Sequence, residues 1–309
     1  MARVFVSRRL PGPALPRLCS EHDVEVWPGR LPPARDDLLR RAPELDGLLA
    51  LLTDRVDSEL IDAAPRLRAI SNYAVGTDNV DLEAASARGI PVGNTPEVLT
   101  ESTADLALAL MLALCRRVVE GEAHVRAGRW DTWEPGLMLG RDLHGTTVGI
   151  VGLGRIGRAV ARRLEGFGAE VLHTSRSGGL PLEELLERSD FVTLHCPLTP
   201  DTRGLIGERA LARMKPSAYL VNAARGPVVD TAALAAALHA GEIAGAALDV
   251  TDPEPLPGGH PLLGAPNLLV VPHIASATHA TRERMTEIAV DNLLAGLAGE
   301  PMPFSANSP

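Results

Sequence analysis

Residues 147–177 read TVGIVGLGRIGRAVARRLEGFGAEVLHTSRS, and no other stretch of this 309-residue chain restricts its fold as tightly. An apolar strand runs into Gly152-Leu153-Gly154-Arg155-Ile156-Gly157, an amphipathic helix follows, and a second strand closes the unit. A GxGxxG alone is weak evidence, but strand, glycines, helix and strand in that order form the context its physics requires. Gly152 permits the tight turn, Gly154 lets backbone approach a pyrophosphate, and Gly157 lets helix meet strand. The helix N-terminus, with Arg155 and Ile156 in its first turn, supplies N–H groups for the anion. The reading is a parallel α/β unit that binds a dinucleotide. The alternative is a glycine-rich turn in a purely structural unit.

The tip of the second strand then decides which dinucleotide. NAD-binding units usually carry Asp or Glu there, hydrogen-bonded to the ribose hydroxyls. Here the tip reads Thr174-Ser175-Arg176-Ser177, with no carboxylate. A 2′-phosphate would meet hydroxyls and a guanidinium, where an Asp would repel it. A charge-assisted hydrogen bond contributes about 1.5–3 kcal/mol, which corresponds to roughly ten- to a hundredfold in affinity. The expected cofactor is therefore NADP(H) in preference to NAD(H). The alternative is a solvated Arg176 beside a site that accepts NAD loosely.

The rest of the chain repeats the same alternation. Val4–Ser7, Val24–Trp27, Gly47–Leu52, Ala69–Ala74 and Pro91–Asn94 are predicted strands, with helices at Asp36–Arg41, Ser58–Ala64 and Leu82–Arg88. A second series places strands at Thr147–Gly152, Glu170–Thr174, Phe191–His195, Ala218–Asn222, Gly245–Asp249 and Leu268–Val271. Strands separated by helices imply parallel sheets with crossover helices, and a chain of this length more often splits into two domains than stays as one. Between the two series, a helix starting near Thr100 is predicted to run to about Ala127. Its apolar residues cover nearly all faces through Leu114, so it is expected to be buried between bodies. Gly128–Gly140 holds Trp130 and Trp133 and reads as an ordered loop packed on something. A last helix begins near Thr281, and the Pro- and Ser-rich end is expected to fray.

Composition excludes some functions. A net charge of −9 argues against a nucleic-acid surface. The most apolar stretch, Ala104–Leu114, is too short for a membrane span, which needs about 20 residues. The N-terminus has no secretory apolar run. Three scattered cysteines, Cys19, Cys115 and Cys196, make neither a metal motif nor a disulfide framework, so a reducing cytoplasm is expected.

Three later strand ends carry groups suited to carbonyl reduction. LVNAARG presents Arg225, LDVTDPEP presents Asp249 and Glu254, and VVPHIASAT presents His273. Ligands of open parallel sheets bind beyond the carboxyl ends of strands, so these ends face one crevice. Singly each has a bland reading: a structural histidine, a loop carboxylate, a turn arginine.

Taken together, the fingerprint, LHCPLTPDTRGLI (Leu194–Ile206), MKPSAYLVNAARGPVVD (Met214–Asp230), ALDVTDPEPL (Ala247–Leu256) and PHIASAT (Pro272–Thr278) resemble the D-isomer-specific 2-hydroxyacid dehydrogenases. LLTDRVDSELIDAAPRLRAISNYAVGTDNVD (Leu51–Asp81) and GRWDTWEPGLMLGRDLHG are similar to the glyoxylate/hydroxypyruvate reductase branch. The resemblance implies an α/β protein of two parallel-sheet domains. A Rossmann cofactor domain (residues 99–282) would be inserted into a flavodoxin-like substrate domain (1–98, completed by 283–309). His273 would protonate the keto oxygen, Glu254 would orient its ring and favour the protonated form, and Arg225 would bind the substrate carboxylate. Backbone N–H groups around Val75 and Gly76 would hold the same carboxylate. Asp249 would hold the nicotinamide carboxamide and Arg155 the pyrophosphate, while Pro197, Thr202, Ala223, Ala224 and Ala275 would line the cofactor cleft. The helix and arm of residues 100–140 would build a homodimer, with Trp130 and Trp133 either against the partner or serving as a local hydrophobic anchor. Thr77 stands where relatives often carry a larger residue, and a two- or three-carbon oxoacid is expected. Phosphoglycerate, formate or phosphite dehydrogenase, 2-ketogluconate reductase and a dinucleotide-sensing corepressor or scaffold are the competing readings.

Overall fold

Short apolar runs separated by helices build a first unit from residues 1–99 and residues 277 onward; the computed structural model describes residues 1–307. Its elements are β1 (Arg3–Val6), α1 (Ala14–Glu21), β2 (Asp23–Val26), α2 (Arg35–Arg41), β3 (Gly47–Ala50), α3 (Ser58–Asp62), β4 (Ala69–Asn72), α4 (Leu82–Ala87) and β5 (Val92–Gly93). The sheet order is β2-β1-β3-β4-β5, parallel throughout. This is the flavodoxin-like order, in which the winding reverses between β1 and β3 and opens a crevice beyond the strand ends there. Every residue of β3 and β4 is buried, as strands covered on both faces require. Alternate side chains serve two cores. Val4, Val6 and Leu49 pack with Leu15 and Leu18 of α1. Phe5, Leu48 and Ile70 pack with Leu38, Leu60 and Ile61 from α2 and α3. Asp57 and Asp81 cap α3 and α4, accepting the N–H of Leu60 and Ala84.

The second unit, Thr100–Ser276, begins with α5 (Thr100–Cys115) and α6 (Val118–Arg126). There follow β6 (Thr147–Val151), α7 (Arg155–Glu165), β7 (Glu170–Ser175), β8 (Gly178–Gly179), α8 (Leu182–Arg188), β9 (Phe191–Leu194), α9 (Glu208–Leu211), β10 (Tyr219–Asn222), α10 (Thr231–Ala240), β11 (Gly245–Leu248) and β12 (Leu268–Val270). The sheet order is β12-β11-β10-β9-β6-β7-β8, parallel except for the antiparallel β7–β8 pair. The winding reverses between β6 and β9, so the crevice lies where the glycine fingerprint ends β6. One face of the sheet packs Val148, Ile150 and Val221 against Ala104, Leu108 and Met111 of α5 and Val160 and Leu164 of α7. The other packs Val192, Leu220 and Leu248 against Leu185, Leu211, Leu234 and Leu238. The chain then returns to the first unit through α11 (His279–Ala298), capped by Thr278 and ended by Gly299 at φ 79°. Two parallel-sheet bodies, one inserted into the other's sequence, is the fold class the sequence predicts. No helix among the described residues is long and apolar enough to cross a membrane.

Three local expectations need correction, and two elements were not anticipated. The helix from Thr100 does not continue to Ala127. It stops at Cys115, Arg117 turns left-handed at φ 53°, and α6 begins anew. The Cys115 carbonyl accepts the N–H of Arg141 instead of a helical partner. Of the two readings of the tryptophans, the local anchor does not hold, since Trp130 is 60% and Trp133 78% exposed. The C-terminal end is tied down through Asn307 rather than frayed. Ser305 bridges Gly93, Ala306 N–H donates to the Val92 carbonyl, and Asn307 accepts the Val92 N–H. The free edge of β5 offers unpaired backbone groups, and the tail satisfies them. Finally, α1 and β8 have no counterpart in the predicted elements.

Candidate active site

The groups proposed for carbonyl chemistry all lie in the second unit, on three loops that follow neighbouring strands. After β10, Asn222 shapes the first loop: its carbonyl oxygen accepts the Ala224 N–H at 3.0 Å and its amide donates to the Arg225 carbonyl at 2.9 Å. Gly226 lets the next loop approach, for a Cβ there would sit 1.9 Å from the Thr251 carbonyl oxygen. Arg225 is extended, and its Nη1 donates to the Ala224 carbonyl at 2.8 Å.

After β11, Asp249 is 2% exposed and accepts two backbone amides, Ile274 at 2.6 Å and Ala275 at 3.0 Å. Its own carbonyl accepts the His273 N–H at 2.9 Å. Burial pushes the Asp249 carboxyl upward in pKa, against the pull of the Ile274 amide and the nearby His273. The residue expected to hold a carboxamide therefore clamps the loop that carries the histidine. His273 itself sits at φ 53°, a conformation that side chains beyond glycine rarely adopt. Its Nδ1 lies 2.6 Å from Glu254 Oε1, with both side chains half-buried. The other oxygen of Glu254 accepts the Thr251 N–H at 3.4 Å. Among the described residues, His273 Nε2 has no hydrogen-bond partner.

The fingerprint builds a cradle in the same unit. Gly152 has φ 98°, and a Cβ there would lie 2.6 Å from the Cys196 backbone nitrogen. A Cβ on Gly157 would lie 2.2 Å from the Gly152 carbonyl oxygen, so α7 packs directly on the turn. A Cβ on Gly154 would meet nothing within 4 Å: this glycine borders open space at the N-terminus of α7, which has no side-chain cap. Arg155 and Ile156 follow it in the first turn. On the far side of the crevice, Thr202 Oγ1 donates to the Pro197 carbonyl at 2.7 Å and closes that loop. A dinucleotide pyrophosphate fits this donor set.

At the tip of β7 the chain folds back in a way the sequence did not announce. Arg176 and Ser177 form the two-residue turn of a β7–β8 hairpin that pairs Ser175 with Gly178 and Thr174 with Gly179. Ser175 Oγ donates to the Gly178 carbonyl at 2.9 Å and lies 3.1 Å from Ser177 Oγ. Its proton is spent on the turn. Arg176 is exposed at the tip.

In the first unit, Val75 and Gly76 are partly exposed on the loop after β4. Sequence reasoning missed the asparagines around them, and Asn222 as well. An Asn closing a strand before a turn is the available signal, because its amide readily bonds nearby backbone. No cluster among the described residues could hold a metal ion.

Residues 108–275 match the family model described as D-isomer specific 2-hydroxyacid dehydrogenase, NAD binding domain. A glyoxylate reductase of Korarchaeum cryptofilum is 49% identical over 99% of this chain and 96% of its own length. The crystal structure of the TT0316 protein from Thermus thermophilus superposes with a TM-score of 0.94 at 52% identity, covering 98% of this chain and 99% of that one. An NADPH-dependent glyoxylate/hydroxypyruvate reductase from Sinorhizobium meliloti, solved with NADP and malonate, has a TM-score of 0.87 at 36% identity, covering 100% of this chain and 98% of its own.

Proposed function

The chain belongs to the D-isomer-specific 2-hydroxyacid dehydrogenases, enzymes that interconvert 2-oxoacids and 2-hydroxyacids, and we propose that it reduces glyoxylate or hydroxypyruvate with NADPH. The observation that carries this reading is the 2.6 Å pairing of His273 Nδ1 with Glu254 on a loop clamped by Asp249. Glu254 holds the proton on Nδ1 and the ring in place, so that Nε2 gives its proton to the keto oxygen as C2 is reduced. The Arg225 guanidinium binds the substrate carboxylate and draws charge from the carbonyl. Bound NADPH supplies the hydride. The second unit serves as cofactor domain, with Gly152, Gly154, Arg155, Ile156 and Gly157 at the pyrophosphate and Pro197, Thr202, Ala223, Ala224, Asp249 and Ala275 along the cleft. The first serves as substrate domain, with Val75 and Gly76 as carboxylate-binding amides.

The preference for NADPH rests on the hairpin tip, where Arg176 and Ser177 are exposed and no carboxylate stands. The NADP-bound Sinorhizobium relative supports it. The working form is a homodimer. Val118, Val119, Val125, Trp130, Trp133 and Leu139 are all exposed within 22 residues of one segment, a density of apolar surface that marks an interface. A groove of about 500 Å³ bordered by Leu114, Arg117, Val119, Leu139 and Tyr219 adjoins them. Buried free thiols at Cys115 and Cys196 suit a reducing cytoplasm.

Initial rates with glyoxylate and hydroxypyruvate, each with NADPH and with NADH, test this reading. Fast oxidation of NADPH and slow oxidation of NADH are expected. Equal rates with the two cofactors would remove the NADPH preference, and no turnover of either oxoacid would remove the substrate assignment.

A further inference from the structure

We propose that Asn72 and Asn94 are positioning residues that aim the carboxylate-binding amides of the first unit. The inference rests on the assignment of the Val75–Gly76 loop to substrate, and it concerns what holds that loop in shape.

Three consecutive carbonyls of the loop are each held by a donor from the protein. The Thr95 N–H donates to the Ala74 carbonyl at 2.9 Å. The Asn94 side-chain amide donates to the Val75 carbonyl at 2.8 Å, and the Asn72 amide to the Gly76 carbonyl at 2.9 Å. A trans peptide is planar, with its C=O and N–H pointing in opposite directions. Holding a carbonyl therefore aims the N–H of the following residue away from the brace. The three N–H groups so aimed belong to Val75, Gly76 and Thr77, and among the described residues none of them has an acceptor. Three successive backbone N–H groups without acceptors on one loop are a donor set that suits an anion. All three residues are partly exposed, so a carboxylate can reach them.

The brace is itself anchored. Asn72 is fully buried and exchanges amide bonds with Asn79 at 3.0 and 3.1 Å. Asn79 donates onward to the carbonyls of Leu51 and Asp54 at 3.0 and 3.1 Å. Asp54 accepts the Leu51 N–H at 2.7 Å and the Ser7 hydroxyl. The loops after β1, β3 and β4 are thus one polar network. Asn94 is anchored separately, since the Asn292 amide of α11 donates to its carbonyl at 2.9 Å and its own N–H reaches the Phe304 carbonyl at 3.3 Å. Neither asparagine touches a ligand in this arrangement. Each acts through a peptide plane.

The test compares the wild-type enzyme with Asn94→Ala and Asn72→Asp. It reads oxoacid KM, kcat, NADPH KM and the affinity for oxalate measured by calorimetry with the dinucleotide present. Losing one oriented amide is expected to raise oxoacid KM and oxalate Kd by about tenfold, with kcat and NADPH KM moving less than about threefold. Asn72→Asp keeps an acceptor for Asn79 but turns a carboxylate toward the Gly76 carbonyl, and it is expected to have the larger effect. Should that variant fail to fold, Asn94→Ala at a partly exposed position carries the test alone. Folded variants with unchanged KM and oxalate affinity overturn the inference. So does a loss confined to kcat or to NADPH. A wild-type chain that turns over no oxoacid, yet binds oxalate more tightly than Asn94→Ala does, keeps the inference and loses the proposed reaction.

Discussion

His273 occupies a backbone conformation that costs about 1–3 kcal/mol for a residue with a side chain, and the surrounding hydrogen bonds hold it there. Asp249 supplies three of them, through its carbonyl and both carboxylate oxygens. In this conformation the ring lies against Glu254. His273→Ala is expected to lower kcat by about 10²- to 10⁴-fold while leaving NADPH affinity, read by fluorescence titration, within about twofold. Retained turnover would remove the acid role. A second histidine behaves in the opposite way. His195 directly follows β9, its Nε2 lies 2.9 Å from Thr193 Oγ1, and its Nδ1 is buried without a partner among the described residues. Burial pushes its pKa down to about 4 from the ordinary 6.5. The stabilisation from this neutral ring is complete above pH 6.5 and is lost as pH falls toward 4, because the unfolded chain takes up a proton that the folded one refuses. Chemical denaturation at pH 7.5 and pH 5 is expected to show a loss of roughly 1–2 kcal/mol from this residue, and His195→Gln is expected to lack that part of the pH dependence. An equal loss in the variant would show that another group is responsible.

At the scale of elements, the β7–β8 hairpin does what a lone strand end cannot. Gly178 and Gly179 sit at φ 129° and 111° and fold the chain back on β7. The tight turn then presents Arg176 outward while Ser175 closes the turn from within. Under the proposed preference for NADPH, discrimination for a 2′-phosphate would therefore fall on Arg176 and Ser177 more than on Ser175. Arg176→Asp is expected to lower the NADPH/NADH ratio of kcat/KM by about ten- to a hundredfold, measured with one oxoacid at fixed concentration. A ratio that does not fall would transfer the selectivity to other residues. The main strands and their ends were legible in sequence because a parallel strand covered on both faces is a short apolar run with a polar end. The hairpin was not, since Gly-Gly reads as a loop until it has a strand to pair with.

For the whole molecule, the exposed Trp130 and Trp133 are the feature that a single chain leaves unexplained. Apolar side chains of this size are seldom left in water in such number along one segment. The wild-type protein is expected to sediment as a dimer, and Trp130→Glu with Trp133→Glu is expected to shift it toward monomer at micromolar concentration, seen by analytical ultracentrifugation. A wild-type monomer would place these tryptophans in another role. The break between α5 and α6 bears on the same surface. Apolar periodicity runs through it without a signal, and only the Arg141 amide, 26 residues beyond Cys115 in the chain, takes the carbonyl that ends the helix.

By itself the sequence determined two parallel sheets, the dinucleotide cradle and the order in which Arg225, Glu254 and His273 arrive at strand ends. These rest on local physics: apolar runs of strand length, glycines where a Cβ has no room, and polar groups just past a strand. Only the tertiary structure decided how the loops are held. The Glu254–His273 pair joins residues 19 apart, Asp249 reaches the His273 loop from 25 residues away, and the tail pairs with β5 from more than 200 residues away. Partners that meet only when the chain has folded leave no periodicity or spacing behind. The asparagines of the first unit belong to that group, since an amide side chain can bond to backbone almost anywhere and its position among the strands selects the carbonyl it holds.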